Sequence, residues 1–111
     1  MTLIEELFTS GQSKSLTAFP LRAVYLLKPG SPGIQLLISV PKRKLKHAVD
    51  RNRVKRQIRE AYRHCRQPLV ETVPEGQCLL VAFVWMSDRL ASSATVARSV
   101  QKLVSRISGR P

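Results

Sequence analysis

The sequence predicts an α+β fold: a small, mostly antiparallel sheet packed with about three helices in an α/β sandwich. Three observations predict it. Two long stretches carry apolar residues at helical spacing, shorter stretches between them are rich in strand formers, and "CLLVAFVW" is a continuous apolar run of strand length. With 111 residues and 43% hydrophobic content, the chain suffices for one domain, residues 1–111, around one core. No repeat, low-complexity tract or linker divides it.

Taken in order, "TLIEELFTSG" reads as a short helix. Thr2 and Glu5 have capping-box spacing, Leu3, Ile4, Leu7 and Phe8 form an apolar face, and Gly11 is a natural stop. Pro20 to Leu27 reads as a strand, "KPGSPG" as a turn, and Ile34 to Val40 as a second strand. The pair is expected to form an antiparallel hairpin. A helix follows, starting between His47 and Arg51, and then "QPLVETVPEGQ" as a loop. Cys78 to Trp85 is apolar throughout, which suits a strand central in the sheet. The last element, roughly Ser93 to Ser108, carries Val96, Val100, Leu103, Val104 and Ile107 at helical spacing.

The charge is the unusual feature. Nineteen Lys and Arg against seven Asp and Glu give a net +12, and self-repulsion of that size does not stabilise a small domain. From Lys42 to Arg66 there are eleven basic and two acidic residues, so +9 of the +12 lies in 25 residues. On a helix, Val54, Ile58, Ala61 and Cys65 fall on one stripe. Asn52, Lys55, Arg56, Arg59, Arg63 and Arg66 spread over a face centred about 160° around from it. One side is fitted to a sheet and the other projects guanidinium groups, whose planar forks suit phosphate oxygens. Arg51 sits at the border of the apolar stripe, a position for bracing the helix start or reaching toward a cleft.

A solvated charged face would interleave opposite charges, and this one does not. A DNA-reading helix-turn-helix needs a helix just upstream, where the sequence puts a strand. A membrane-surface helix would carry bulkier apolar residues than Val, Ile, Ala and Cys. "PKRKLK" has the composition of a nuclear import signal, but it joins a strand to a helix. RNA, recognised by shape and phosphate, fits best. No run approaches the roughly 18 apolar residues of a membrane span. The acidic start "MTLIEELF" is unlike a targeting peptide, so a cytoplasmic location is expected. Cys65 and Cys78 are expected as reduced thiols.

The stretch "VPKRKLKHAVDRNRVKRQIREAYR" resembles the signature of the bacterial ribonuclease P protein subunit. The matching positions are Ala48, Val49, Arg51, Asn52, Arg53, Lys55, Arg56, Arg59 and Glu60, and "LFTSG" and the strand Cys78 to Trp85 also sit where that family has them. The resemblance implies a left-handed βαβ crossover around the arginine helix. It also implies a division of labour in tRNA 5′ maturation. A large RNA with bound Mg2+ cleaves precursor tRNA, and the protein binds that RNA and the single-stranded 5′ leader. The residues implied for the RNA are Lys42, Arg43, Lys44, Lys46, Arg51, Asn52, Arg53, Lys55, Arg56, Arg59 and Arg63. A cleft between sheet and helix is implied for the leader, with Phe8, Phe19 and Tyr25 as its candidates. Two departures stand out: the chain opens almost directly on "TLIEELF", without the usual basic segment, and Ile4 occupies a position that is often aromatic.

Catalysis by the chain itself is not expected. Two-metal hydrolysis needs converging carboxylates. Here Asp50 and Glu60 lie about 15 Å apart along one helix, and the other acidic residues are scattered through different elements. His64 and Cys65 point about 100° apart, a poor ligand pair. No catalytic residue, metal ligand, protein-bound cofactor, membrane contact or obligate protein partner is expected. The rival readings are an RNA-assembly protein, such as a ribosomal one, and a stand-alone nuclease.

Overall fold

A computed structural model describes residues 13–30 and 33–109. The first helix expected at "TLIEELFTSG", with Ile4 and Phe8, lies outside the described residues. The elements are β1 (Lys14–Ala18), β2 (Leu21–Pro29), β3 (Gly33–Ser39), α1 (Ala48–Cys65), α2 (Gln67–Thr72), β4 (Gln77–Trp85) and α3 (Ser93–Ser108). They form a four-stranded sheet of order β1-β2-β4-β3 with antiparallel β1–β2 and β2–β4 pairs and a parallel β3–β4 pair. Parallel neighbours require a crossover, and α1 with α2 supplies it.

The sheet corrects the expected hairpin. The strands at Leu21–Pro29 and Gly33–Ser39 do not pair with each other, because β4 lies between them. Seven of the nine β4 residues, Cys78 to Phe83 and Trp85, are buried. A strand apolar on both faces is most favourable when both edges are paired and both faces covered, which places it at the centre. β1, unassigned from sequence, pairs with β2 through a two-residue connection at Phe19 and Pro20, whose peptide bond is cis. The stretch expected as a loop after α1 contains α2. Pro68 sits in its first turn, where a missing N–H costs nothing, and Leu69 is fully buried.

Alternation along the strands gives the sheet two faces. Leu21 and Ala23 of β2, with Leu79, Val81, Phe83 and Trp85 of β4, meet Val54, Ile58 and Tyr62 of α1 and Val96, Val100, Leu103 and Val104 of α3. The other face carries Val24, Leu26, Cys78, Leu80 and Ala82. Cys65 packs beside the first group and Cys78 within the second, and both are free thiols. Ser92 caps α3 by accepting from Thr95 N at 3.2 Å, and Gly109, at φ 76°, ends it in the left-handed region that glycine enters without strain. No helix among the described residues is long and apolar enough to cross a membrane.

Candidate nucleic-acid interface

α1 is amphipathic in the sense its spacing requires. Val54 and Ile58 are fully buried and Tyr62 nearly so, with its ring edge-on to Phe83 at 6.1 Å. Ala61 and Cys65, assigned to the same stripe, are half-buried at its flank. Tyr62 is buried as well, outside the stripe that the sequence predicts. It lies one turn beyond Ile58, and a bulky aromatic at i, i+4, i+8 with Val54 and Ile58 is the signal that marks it. Burial pushes the Tyr62 hydroxyl and the Cys65 thiol above their ordinary pKa values.

The opposite face is open. Asn52, Arg53, Arg56, Arg59, Arg63 and Arg66 are exposed, and Lys55 is half-buried. Glu60 is the carboxylate that engages this face: Arg63 Nη2 donates to its Oε1 at 2.6 Å, and His64 Nε2 lies 3.0 Å from the same oxygen. Those two contacts, Arg63 first, hold the Glu60 carboxyl below its usual range. All three side chains are largely solvated, so the cluster orients Arg63 more than it stabilises the fold.

The loop between β3 and α1 extends the charge. Lys42, Arg43 and Lys46 are exposed there and Lys44 half-exposed, while Leu45 anchors the loop in the core. Arg51 faces this loop: its Nη1 donates to Leu45 O at 2.9 Å and Lys46 O at 2.8 Å. That is the bracing role open to it at the border of the stripe, and it separates Arg51 from the other arginines. Gln57 ties α1 to the start of α3, donating to Ala91 O at 3.1 Å and to Ser93 Oγ at 3.2 Å. Beside that tie, Arg53, Arg56 and Ser93 line a hollow of ≈ 380 Å³.

The aromatic residues assigned to one cleft are separated. Phe8 lies outside the described residues. Tyr25 stands opposite Lys14 across the β1–β2 ladder, in a cavity of ≈ 320 Å³ shared with Thr72, Val73 and Ile107. Phe19 is at the other end of the same ladder, 70% exposed at the tip of the β1–β2 turn. Register explains the separation: Lys14 pairs with Tyr25 and Ala18 with Leu21, and Phe19 lies beyond Ala18, so the two rings' attachment points are more than about 13 Å apart along the ladder. A second cavity, of ≈ 620 Å³, opens between the β3 edge and the end of α1, where Tyr62 and Arg66 meet Ile34 and Val70. Among the described residues no three His, Cys, Asp or Glu side chains converge to hold a metal ion.

A mixed sheet whose crossover helix is apolar behind and cationic in front defines a small, basic α+β protein. The family model for ribonuclease P matches residues 2–108. The chain is 40% identical over 102 residues to a protein of Porphyromonas gingivalis named ribonuclease P protein component, covering 89% of this chain and 74% of that one. It is 44% identical over 78 residues to a protein of the same name from Chlorobium phaeobacteroides, covering 68% of this chain and 53% of that one. The fold is similar to a Staphylococcus aureus RNase P protein mutant with defective mRNA degradation activity: TM-score 0.69 at 18% identity, over 96% of this chain and 81% of that one. It is also similar to the Thermotoga maritima RNase P protein in complex with 1-(4-fluorophenyl)-2-thiourea: TM-score 0.64 at 21% identity, over 96% and 97%. The chain belongs to the ribonuclease P protein family, the protein subunits of an endoribonuclease that processes tRNA.

Proposed function

We propose that this protein clasps the catalytic RNA of ribonuclease P with α1 and the Lys42–Lys46 loop, and helps that RNA remove the 5′ leader of precursor tRNA. The observation that carries the reading is the open face of α1. Arg53, Arg56, Arg59 and Arg66 project into solvent, and among the described residues no carboxylate is bonded to them. Such a face gains free energy by displacing counterions from folded RNA, and its guanidinium forks fix the register of docking. Arg43, Lys42, Lys44 and Lys46 add charge beside the helix start, and Arg51 holds that loop in place. Asn52, Lys55 and Arg63 complete the docking face.

The leader falls to the Tyr25 cavity. An aromatic ring beside the Lys14 ammonium offers a base a stacking surface and its phosphate a counter-charge, the pairing that single strands use. Phe8 belongs with this cleft by resemblance. Cutting is assigned to the RNA, with which Mg2+ is expected, and the protein raises the affinity for substrates that carry a leader. A cytoplasmic location follows from the same reading.

The test is to mix the chain with a ribonuclease P RNA and precursor tRNA at low Mg2+. Faster 5′ cleavage is the expected result. No stimulation would favour an RNA-assembly role, and cleavage by the RNA-free chain would revive the stand-alone nuclease.

A further inference from the structure

α3 is a second cationic helix. Its sixteen residues contain Arg98, Lys102 and Arg106 and no Asp or Glu. The three follow one another at four-residue spacing, so they form one stripe with steps of about 6 Å along the axis. All three are exposed, on the half of the helix turned away from Val96, Val100 and Val104. The drift of that stripe brings it to the flank where Ser99 lies. Ser99 is buried there, and its Oγ donates to Phe19 O at 3.2 Å.

That bond fixes the β1–β2 turn against α3. A second bond, from Met86 N to Pro20 O at 2.9 Å, fixes its other side. The turn is thus tethered on both sides, yet the Phe19 ring it carries is 70% exposed. Phe19, Arg98 and Lys102 line a hollow of ≈ 390 Å³ whose floor is Ala18, Thr95 and Ser99. Among the described residues no carboxylate lines it. The loop that follows Met86 carries Asp88, and Arg89 beside it offsets that charge.

We propose that this hollow is a second RNA site, taking one unpaired base stacked on Phe19 with its flanking phosphates on Arg98 and Lys102. An exposed aromatic ring on a tethered turn, beside two cations that no carboxylate of the described residues is bonded to, is what sequence-tolerant binding of a single strand requires. A duplex would bury its base faces and leave Phe19 without a partner. The ligand is also linear in the way the surface is linear. Arg106 continues the stripe toward the end of α3, where Ile107 borders the Tyr25 cavity. The site lies across α3 from the arginine face of α1, so it does not depend on docking through that face.

The experiment uses the full chain with a fluorescent 12-nucleotide oligoadenylate, in an Arg56→Ala/Arg59→Ala background that suppresses binding through α1. Phe19→Leu keeps an apolar side chain and removes the stacking face. It should weaken binding about tenfold, the loss of one base–aromatic stack. Arg98→Ala/Lys102→Ala should flatten the log–log salt dependence by about 1.4, two phosphates at the single-strand coefficient. A separate Phe19→Trp variant should show emission quenched by the oligoadenylate, whereas the native Trp85, 1% exposed, should not respond. Unchanged affinity in Phe19→Leu, or no quenching in Phe19→Trp, would overturn the proposal. Both positive results with no stimulation of precursor cleavage would leave this site standing and overturn the function proposed above.

Discussion

Replacing Arg56 and Arg59 with alanine tests the arginine face at its centre. Both side chains are exposed, and no ion pair within the described residues involves either, so their loss leaves the core intact. The cations available on this helix, setting aside Arg63 with its Glu60 contact, are Arg53, Lys55, Arg56, Arg59 and Arg66. If each neutralises one phosphate, log Kd should change with log salt at a slope of about 4 in magnitude, and the double variant should show about 2.4. Between 50 and 200 mM salt the unaltered protein should then lose roughly 250-fold in affinity and the variant roughly 30-fold. At fixed moderate salt the variant should bind roughly 100-fold more weakly, with each lost charge-assisted hydrogen bond costing about 1.5 kcal/mol. Filter binding or fluorescence anisotropy with a ribonuclease P RNA, repeated across salt, measures all of these. Equal slopes for the two proteins would refute the counterion argument, whatever the affinities. An internal check is Glu60→Gln, which releases Arg63 and should steepen the slope by about one contact, roughly 0.8.

Three further predictions concern the support of that face. Ile58→Ala, at a fully buried position, should lower unfolding free energy by about 2–5 kcal/mol in urea titration, with the salt slope for RNA unchanged in the folded protein. Alkaline pH should destabilise the fold through Cys65 and Tyr62. Their folded pKa values lie above the ordinary 9.0 and 10.0, so the folded state retains protons that the unfolded chain gives up. That contribution is complete below pH 9 and is lost as pH rises through the folded values, seen as a falling Tm; Tyr62→Phe should flatten the part above pH 10. Arg51→Lys removes a guanidinium bonded to Leu45 O and Lys46 O. It should speed amide exchange across residues 42–47 and weaken RNA binding about threefold, without the change in salt slope that losing a phosphate contact would give.

What was legible in the sequence follows the range of each interaction. α1 was legible because Val54, Ile58 and the arginines are placed by one short-range period, and the structure keeps them on opposite faces. β4 was legible because eight apolar residues in a row have few other places to go, and it lies between two strands. The expected hairpin does not form, because turn residues at "KPGSPG" reverse a chain without saying which strand lies beside it. That choice went to β4, more than forty residues later, which buries both faces only between β2 and β3. α2 is not legible in the sequence because Pro68 reads as a breaker, although in a first helical turn it breaks nothing.

By itself, then, the sequence determined that this protein has an apolar-backed cationic helix, a buried central strand and a surplus of positive charge concentrated on and beside that helix. All of these are set by side-chain type and local period. The tertiary structure decided what that helix sits beside. It sent Arg51 back to brace a loop, parted Phe19 from Tyr25 along the β1–β2 ladder, and brought Phe19 to Arg98 through Ser99, eighty residues away. Such neighbours come from strand register and long-range packing, which carry no periodic signature in the chain.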